Sequence, residues 1–171
     1  LYDDKSRPTE IIPPGAMPSD TGLVYSYLYD GSDNIIKKYI PGADPMIMRY
    51  NDRDLMTAMQ DGNQTINKRW IVTNYDDYGR VSATGFFEGP GIPPLNAPPV
   101  QDSLTQNFYD GQIVGGSISG NQYIGRLSAS KVAILAGDLS QPDWLRTEYQ
   151  YDEFGRMTFS GGNNHRNLTD Y

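Results

Sequence analysis

The sequence predicts an all-β chain of consecutive antiparallel β-hairpins, forming a twisted, curved sheet with little helix. Three observations predict it. Aspartate, a turn former, outnumbers the helix former glutamate by 17 to 4. The 171 residues include 18 glycines and 12 prolines, about 18% against a usual ~12%. Thirteen tyrosines suit pleated, half-buried surfaces, and several recur at strand period.

Taken in order, residues 1–22 are polar and proline-rich and read as an extended arm. Residues 23–87 read as hairpins. Tyr25, Tyr27 and Tyr29 share one face of a first strand, residues 30–33 turn, residues 35–40 return, and Pro41-Gly42 stops them. Residues 46–50 and 55–59 flank a second turn, Asp61-Gly62-Asn63 makes another, and residues 70–75 and 80–86 flank the next. Residues 88–105, with Pro93-Pro94 and Pro98-Pro99, read as an exposed loop. Residues 106–171 hold a degenerate repeat, then a Gly/Ser-rich stretch over 111–130 with a short strand or helical piece near 123–127. A buried strand over 131–135 and a final hairpin of 144–151 and 156–159 follow.

An internal repeat underlies this order. Tyr, Asp or Asn, two free positions, then Gly or Asp recurs at Tyr29-Asp30-Gly31-Ser32-Asp33 and Tyr50-Asn51-Asp52-Arg53-Asp54. It returns at Tyr75-Asp76-Asp77-Tyr78-Gly79, followed by Arg80, and at Tyr151-Asp152-Glu153-Phe154-Gly155, followed by Arg156. The Asp or Asn side chain can accept backbone N–H groups two residues on and close the turn. The fifth position is expected in the left-handed region, as in a type I turn followed by a bulge. Glycine is free to go there, and aspartate tolerates it. The tyrosine offers a face for cross-strand packing and a hydroxyl for a partner. A degenerate copy lies at Tyr109-Asp110, where Ile113 stands at the glycine position, so its turn is expected to differ.

These residues resemble the YD-repeat, or Rhs-repeat, family. The likeness is strongest over YDGSDNIIKKYIPGADPMIMRYNDRDLMTAMQDGNQ and RWIVTNYDDYGRVSATG, whose linking motifs are similar to the Bacteroidetes-type cell-surface branch. It extends through FYDG, GRLSASKVAILAG and WLRTEYQYDEFGRMT to about residue 160. The resemblance implies a structural, non-enzymatic role at the cell surface or outside the cell. Such repeats build a spiralling sheet that can close into a shell around a toxin or effector domain. The partners it implies are neighbouring repeats of one polypeptide and an enclosed effector. The proteins concerned are usually far longer, so the chain, which starts at Leu1, is expected to be a slice of such a wall.

Other chemistries fit poorly. A net charge of −7 without Lys/Arg clusters argues against nucleic acid. With no cysteine and one histidine, His165, there are no Cys nucleophiles, Cys/His zinc sites or disulfides, and no cofactor or metal is expected. No apolar run approaches the ~18 residues of a membrane helix. Ser128-Ala129-Ser130-Lys131 and Ser32-Asp33-Asn34 imitate β-lactamase motifs, but in reversed order and without K-T-G. Acidic residues for a glycosidase pair (Asp76, Asp77, Glu148, Asp152, Glu153) fall mostly in repeat turns. A second reading is a surface glycan stacking on Tyr25, Tyr27, Trp70 and Trp144, against cross-strand packing of the same rings. A repeat slice also carries open edges, expected either to pair as an edge-to-edge homodimer or to be covered by the proline-rich arm.

Overall fold

The structure, a computed structural model, describes residues 1–17, 19, 22–89, 91–95, 103–113, 115–134 and 143–165. Its strands are β1 (Glu10–Ile11), β2 (Tyr25–Tyr29), β3 (Ile35–Tyr39), β4 (Met46–Tyr50), β5 (Met56–Gln60), β6 (Arg69–Tyr75), β7 (Val81–Glu88) and β8 (Ser103–Tyr109). They continue as β9 (Gln112–Ile113), β10 (Gly116–Ser117), β11 (Leu127–Ile134), β12 (Asp143–Tyr151) and β13 (Met157–His165). One five-residue helix, α1 (Gly62–Ile66), and a 3-10 turn at Asn121–Tyr123 complete the described elements. Eleven strands form one antiparallel sheet in the order β1-β2-β3-β4-β5-β6-β7-β8-β11-β12-β13. Neighbours in sequence are neighbours in the sheet, except that the β9–β10 hairpin is looped out. The predicted class is therefore the observed one.

Contacts divide the chain into two units, Leu1–Val72 with Phe87–Pro98, and Thr73–Phe86 with Pro99–Tyr171. The core of the first is Ala58, Trp70 and Val72, each at most 5% exposed, with Ile47 and Phe87 packed against them. These residues come from strands that alternate inward and outward.

Two expectations for this unit are corrected. Residues 1–22 are not simply an extended arm. Tyr2 to Arg7 form a turn, Tyr2 bridges Pro8, and β1 pairs with β2 through Glu10–Ser26 and Ile11–Tyr25. The arm thus does lie along the β2 edge, but as a hairpin. Second, residues 61–63 open a helix: the Asp61 carboxylate accepts the Gln64 N–H while the Gln64 side chain accepts the Asp61 N–H, a capping box. Of the two readings of Trp70, packing rather than glycan stacking is the one observed.

In the second unit Ser128 and Ala129 are fully buried and Tyr123 is 5% exposed. Tyr123 meets Tyr151 edge-on, with ring centroids 5.7 Å apart. The stretch near 123–127 is the 3-10 turn and the start of β11. The expected strand over 131–135 exists as part of β11, but it is not buried: Val132 and Ile134 are 41% and 40% exposed, and residue 135 lies outside the described residues. Glu88 still belongs to β7 and Ser103 to β8, so the proline-rich connection is shorter than residues 88–105. Residues 90 and 96–102 of it lie outside the described residues.

Candidate functional site

The repeat turns share one hydrogen-bond scheme. Asp76 Oδ1 accepts the N–H groups of Tyr78 and Arg80, its own N–H donates to the Arg80 carbonyl, and the Gly79 N–H donates to the Asp76 carbonyl. Asp30, Asn51 and Asp152 repeat these bonds residue for residue. The fifth position is left-handed each time: Asp33 at φ 72°, Asp54 at 56°, Gly79 at 81° and Gly155 at 74°. The register slips immediately before Tyr29, Tyr50 and Tyr151, so each hairpin carries a bulge. The turn geometry read from the sequence is the one observed.

One further copy is hidden in the sequence, and the copy at Tyr109-Asp110 closes differently, as expected. Asp3 makes the same bonds to Lys5 and Arg7, with Ser6 left-handed at φ 62°. The copy at Tyr109-Asp110 is interrupted rather than degenerate. Its glycine and arginine arrive as Gly125-Arg126, and the Asp110 N–H still donates to the Arg126 carbonyl. The intervening residues carry β9, β10 and the 3-10 turn. Ser128 Oγ, fully buried, accepts the Gly111 N–H at 2.6 Å and anchors that excursion. This places the serine of the β-lactamase-like motif in a structural bond.

Where a turn ends in arginine and another follows, the two are latched by that arginine and the tyrosine of the next. Arg7 lies 4.4 Å from the Tyr29 ring centroid, Arg80 4.2 Å from that of Tyr109 and Arg126 5.7 Å from that of Tyr151. Stacking of this kind contributes about 0.5–2 kcal/mol. The same tyrosines donate their hydroxyls backwards, to the carbonyl following each arginine: Tyr29 to Pro8 (2.8 Å), Tyr109 to Val81 (3.1 Å) and Tyr151 to Leu127 (2.8 Å). Burial pushes the Tyr151 phenol above its usual range. Charge completes the latch. Lys5 and Arg7 pair with Asp33, and Asn34 donates to Asp54 at 2.8 Å. Arg80 binds Asp76 and Asp110, each at 2.6 Å.

The second unit also holds an open cleft of about 570 Å³ lined by Tyr78, Arg80, Asp110, Ile124 and Gly125. Asp76 and Asp77 line the hollow beside it. Asp110 is held below the usual carboxylate range by the Arg80 guanidinium and the Gly125 N–H. For Asp76, burial pushes upward and is outweighed by its bonds to Arg80 and Tyr78. A general acid needs the opposite shift, so this pair is built to stay ionised.

Of the four rings offered for glycan stacking, the structure withdraws Trp70. Trp70 is buried at 5% exposure, packed in the core, so it cannot stack on a sugar. Trp144 carries the Lys131 ammonium 3.8 Å from its ring centroid, and Tyr27 faces Lys38 at 6.0 Å. Tyr25 is half-buried beside Ile11. No family model matches the chain, and no curated protein matches its sequence.

The fifth turn position gives a direct prediction. Gly79→Asn is expected to be nearly neutral, because aspartate fills the same left-handed site in two other turns. Gly79→Val is expected to destabilise by about 1–2 kcal/mol, the cost of left-handed backbone for a side chain that cannot relieve it. Urea unfolding of the two variants separates them; equal losses would refute the turn argument.

Proposed function

We propose that this chain is a non-enzymatic structural segment, a run of tyrosine–aspartate hairpins in the wall of a larger cell-surface or secreted protein of the YD-repeat type. One observation carries the reading: at three junctions the arginine of one repeat stacks on the next repeat's tyrosine, whose hydroxyl returns to the carbonyl after that arginine. The side chains that make the motif recognisable are thus spent on joining neighbours, as a repeat architecture requires. Its natural partners are then adjoining repeats of the same polypeptide, and in the wider family such walls can enclose an effector domain.

The test is made on the cells that produce the protein. Antibodies against the 171-residue chain are expected to detect a polypeptide much larger than 19.1 kDa. Protease added outside intact cells, or the culture medium, should reveal it as surface-bound or released. A band confined to the cell interior and unaffected by external protease would overturn the assignment.

A further inference from the structure

Arg156 stands out among the motif arginines. Arg7 and Arg80 have side chains 22% exposed, whereas the Arg156 side chain is 75% exposed. It keeps the half of the latch that lies within its own turn: Nε donates to Asp152 at 2.7 Å, and the guanidinium lies 5.1 Å from the Phe154 ring centroid. Arg80 makes the same two contacts, to Asp76 and to Tyr78 at 5.1 Å, and then adds Tyr109. Among the described residues, no tyrosine completes the second half for Arg156. Among the described residues, the strand that follows it, β13, is the last of the sheet order and pairs with β12 alone.

The internal repeats specify what fits there. The strand leaving one turn pairs with the strand entering the next, as β3 pairs with β4, β7 with β8 and β11 with β12. β13 is a leaving strand. We propose that the edge of β13, headed by Arg156, is a docking site for an incoming extended strand that ends in a tyrosine–aspartate turn. The strand adds to the sheet by backbone hydrogen bonds. Its tyrosine ring lies under the Arg156 guanidinium, and its hydroxyl donates to the carbonyl of Met157, the counterpart of Pro8, Val81 and Leu127. Its turn carboxylate faces the same arginine, as Asp110 faces Arg80. Recognition is thus by one aromatic ring and one anion at a fixed offset from a strand, which a generic β-peptide does not supply. This deepens the structural assignment above and rests on it.

A synthetic peptide of residues 69–80, RWIVTNYDDYGR, carries an entering strand and an intact turn. Titrated into the 15N-labelled 171-residue chain, it is expected to bind and to shift the amide signals of β13. The Tyr75→Ala peptide, and Arg156→Ala in the chain, should each weaken binding by about 3- to 30-fold, the range of one cation–π contact. Combined, they should weaken it little further than either alone. Arg156→Lys guards against a merely unfolded turn: it keeps the charge and should retain part of the affinity. Self-association of the chain that the peptide competes away, and that Arg156→Ala abolishes, would be the same contact made by a second copy. Binding that a scrambled peptide reproduces, or that ignores Arg156, overturns the proposal, as does no binding at millimolar peptide. Such a failure beside a large, surface-exposed parent polypeptide would remove the docking site and leave the structural assignment standing.

Discussion

Replacing Trp70 with alanine is expected to cost about 3–5 kcal/mol, a large share of the ~5–15 kcal/mol that holds a domain folded. Trp70 is 5% exposed and packs with Ala58 and Val72, while Ile47 and Phe87 close around it. Two of these neighbours are small or medium side chains on β5 and β6, so the surrounding sheet has little side-chain volume with which to fill the space left by an indole. The cavity term then adds to the lost transfer energy. Trp70→Phe, which keeps most of the apolar bulk, should lose distinctly less. Trp144→Ala should also lose less, since that ring is only half-buried beneath Lys131. Urea unfolding followed by far-ultraviolet circular dichroism reads all three. A Trp70→Ala chain within 1 kcal/mol of the parent would be incompatible with an indole at the centre of the first unit.

For Trp70 the sequence offers both packing and glycan stacking, and only the sheet decides for packing. Period-two tyrosines and aspartate turns are local features, so the hairpins and their left-handed fifth positions were legible. Which face of a strand is buried depends on what packs across it, and aromatic residues on both faces gave no local sign. The first turn was missed because Ser6 stands where glycine or aspartate was sought. A displacement of 27 residues would have found it: Tyr2-Asp3, Pro14-Gly15-Ala16 and Pro18 then superpose on Tyr29-Asp30, Pro41-Gly42-Ala43 and Pro45. The turn at Tyr109-Asp110 was expected to differ, but its closing residues were not legible because Gly125-Arg126 comes twelve residues late, although Gly-Arg directly before a strand is a usable signal. Asp61 and Gln64 spelled a capping box that was read as a plain turn. The arginine–tyrosine latch was not legible at all, since its partners belong to different repeats and only the sheet brings them together.

Acid is expected to unfold this chain through its turns. Asp3, Asp33, Asp110 and Asp152 are held below the ordinary carboxylate range, with these leading causes: the Arg7 N–H for Asp3, the Lys5 ammonium for Asp33, the Arg80 guanidinium for Asp110 and the Arg156 N–H for Asp152. In Asp30 and Asp76 burial pushes upward first, but the hydrogen bonds from Asn34 and Arg80 outweigh it, and both are also lowered. A carboxyl whose folded value lies below its unfolded value stabilises the fold fully above the unfolded value. That contribution is lost as pH falls through the folded one. The urea midpoint should therefore be flat from about pH 7 to pH 5 and fall steeply below about pH 4.

Growing positive charge also destabilises any chain in acid, so a comparison within the protein is needed. Turn 50–55 provides its logic. Asn51 accepts the same two N–H groups without a charge, and Leu55 stands where the other turns have arginine or asparagine. Asp76→Asn should likewise keep the bonds from Tyr78 and Arg80 N–H while removing the anion from the Arg80 guanidinium. It is expected to lower the midpoint at pH 7 and to lose less than the parent on acidification, so that the two curves converge once the pH has fallen through the lowered folded value of Asp76. Parallel curves would show that Asp76 contributes no charge-dependent stability, and that its place in the turn rests on hydrogen bonding alone.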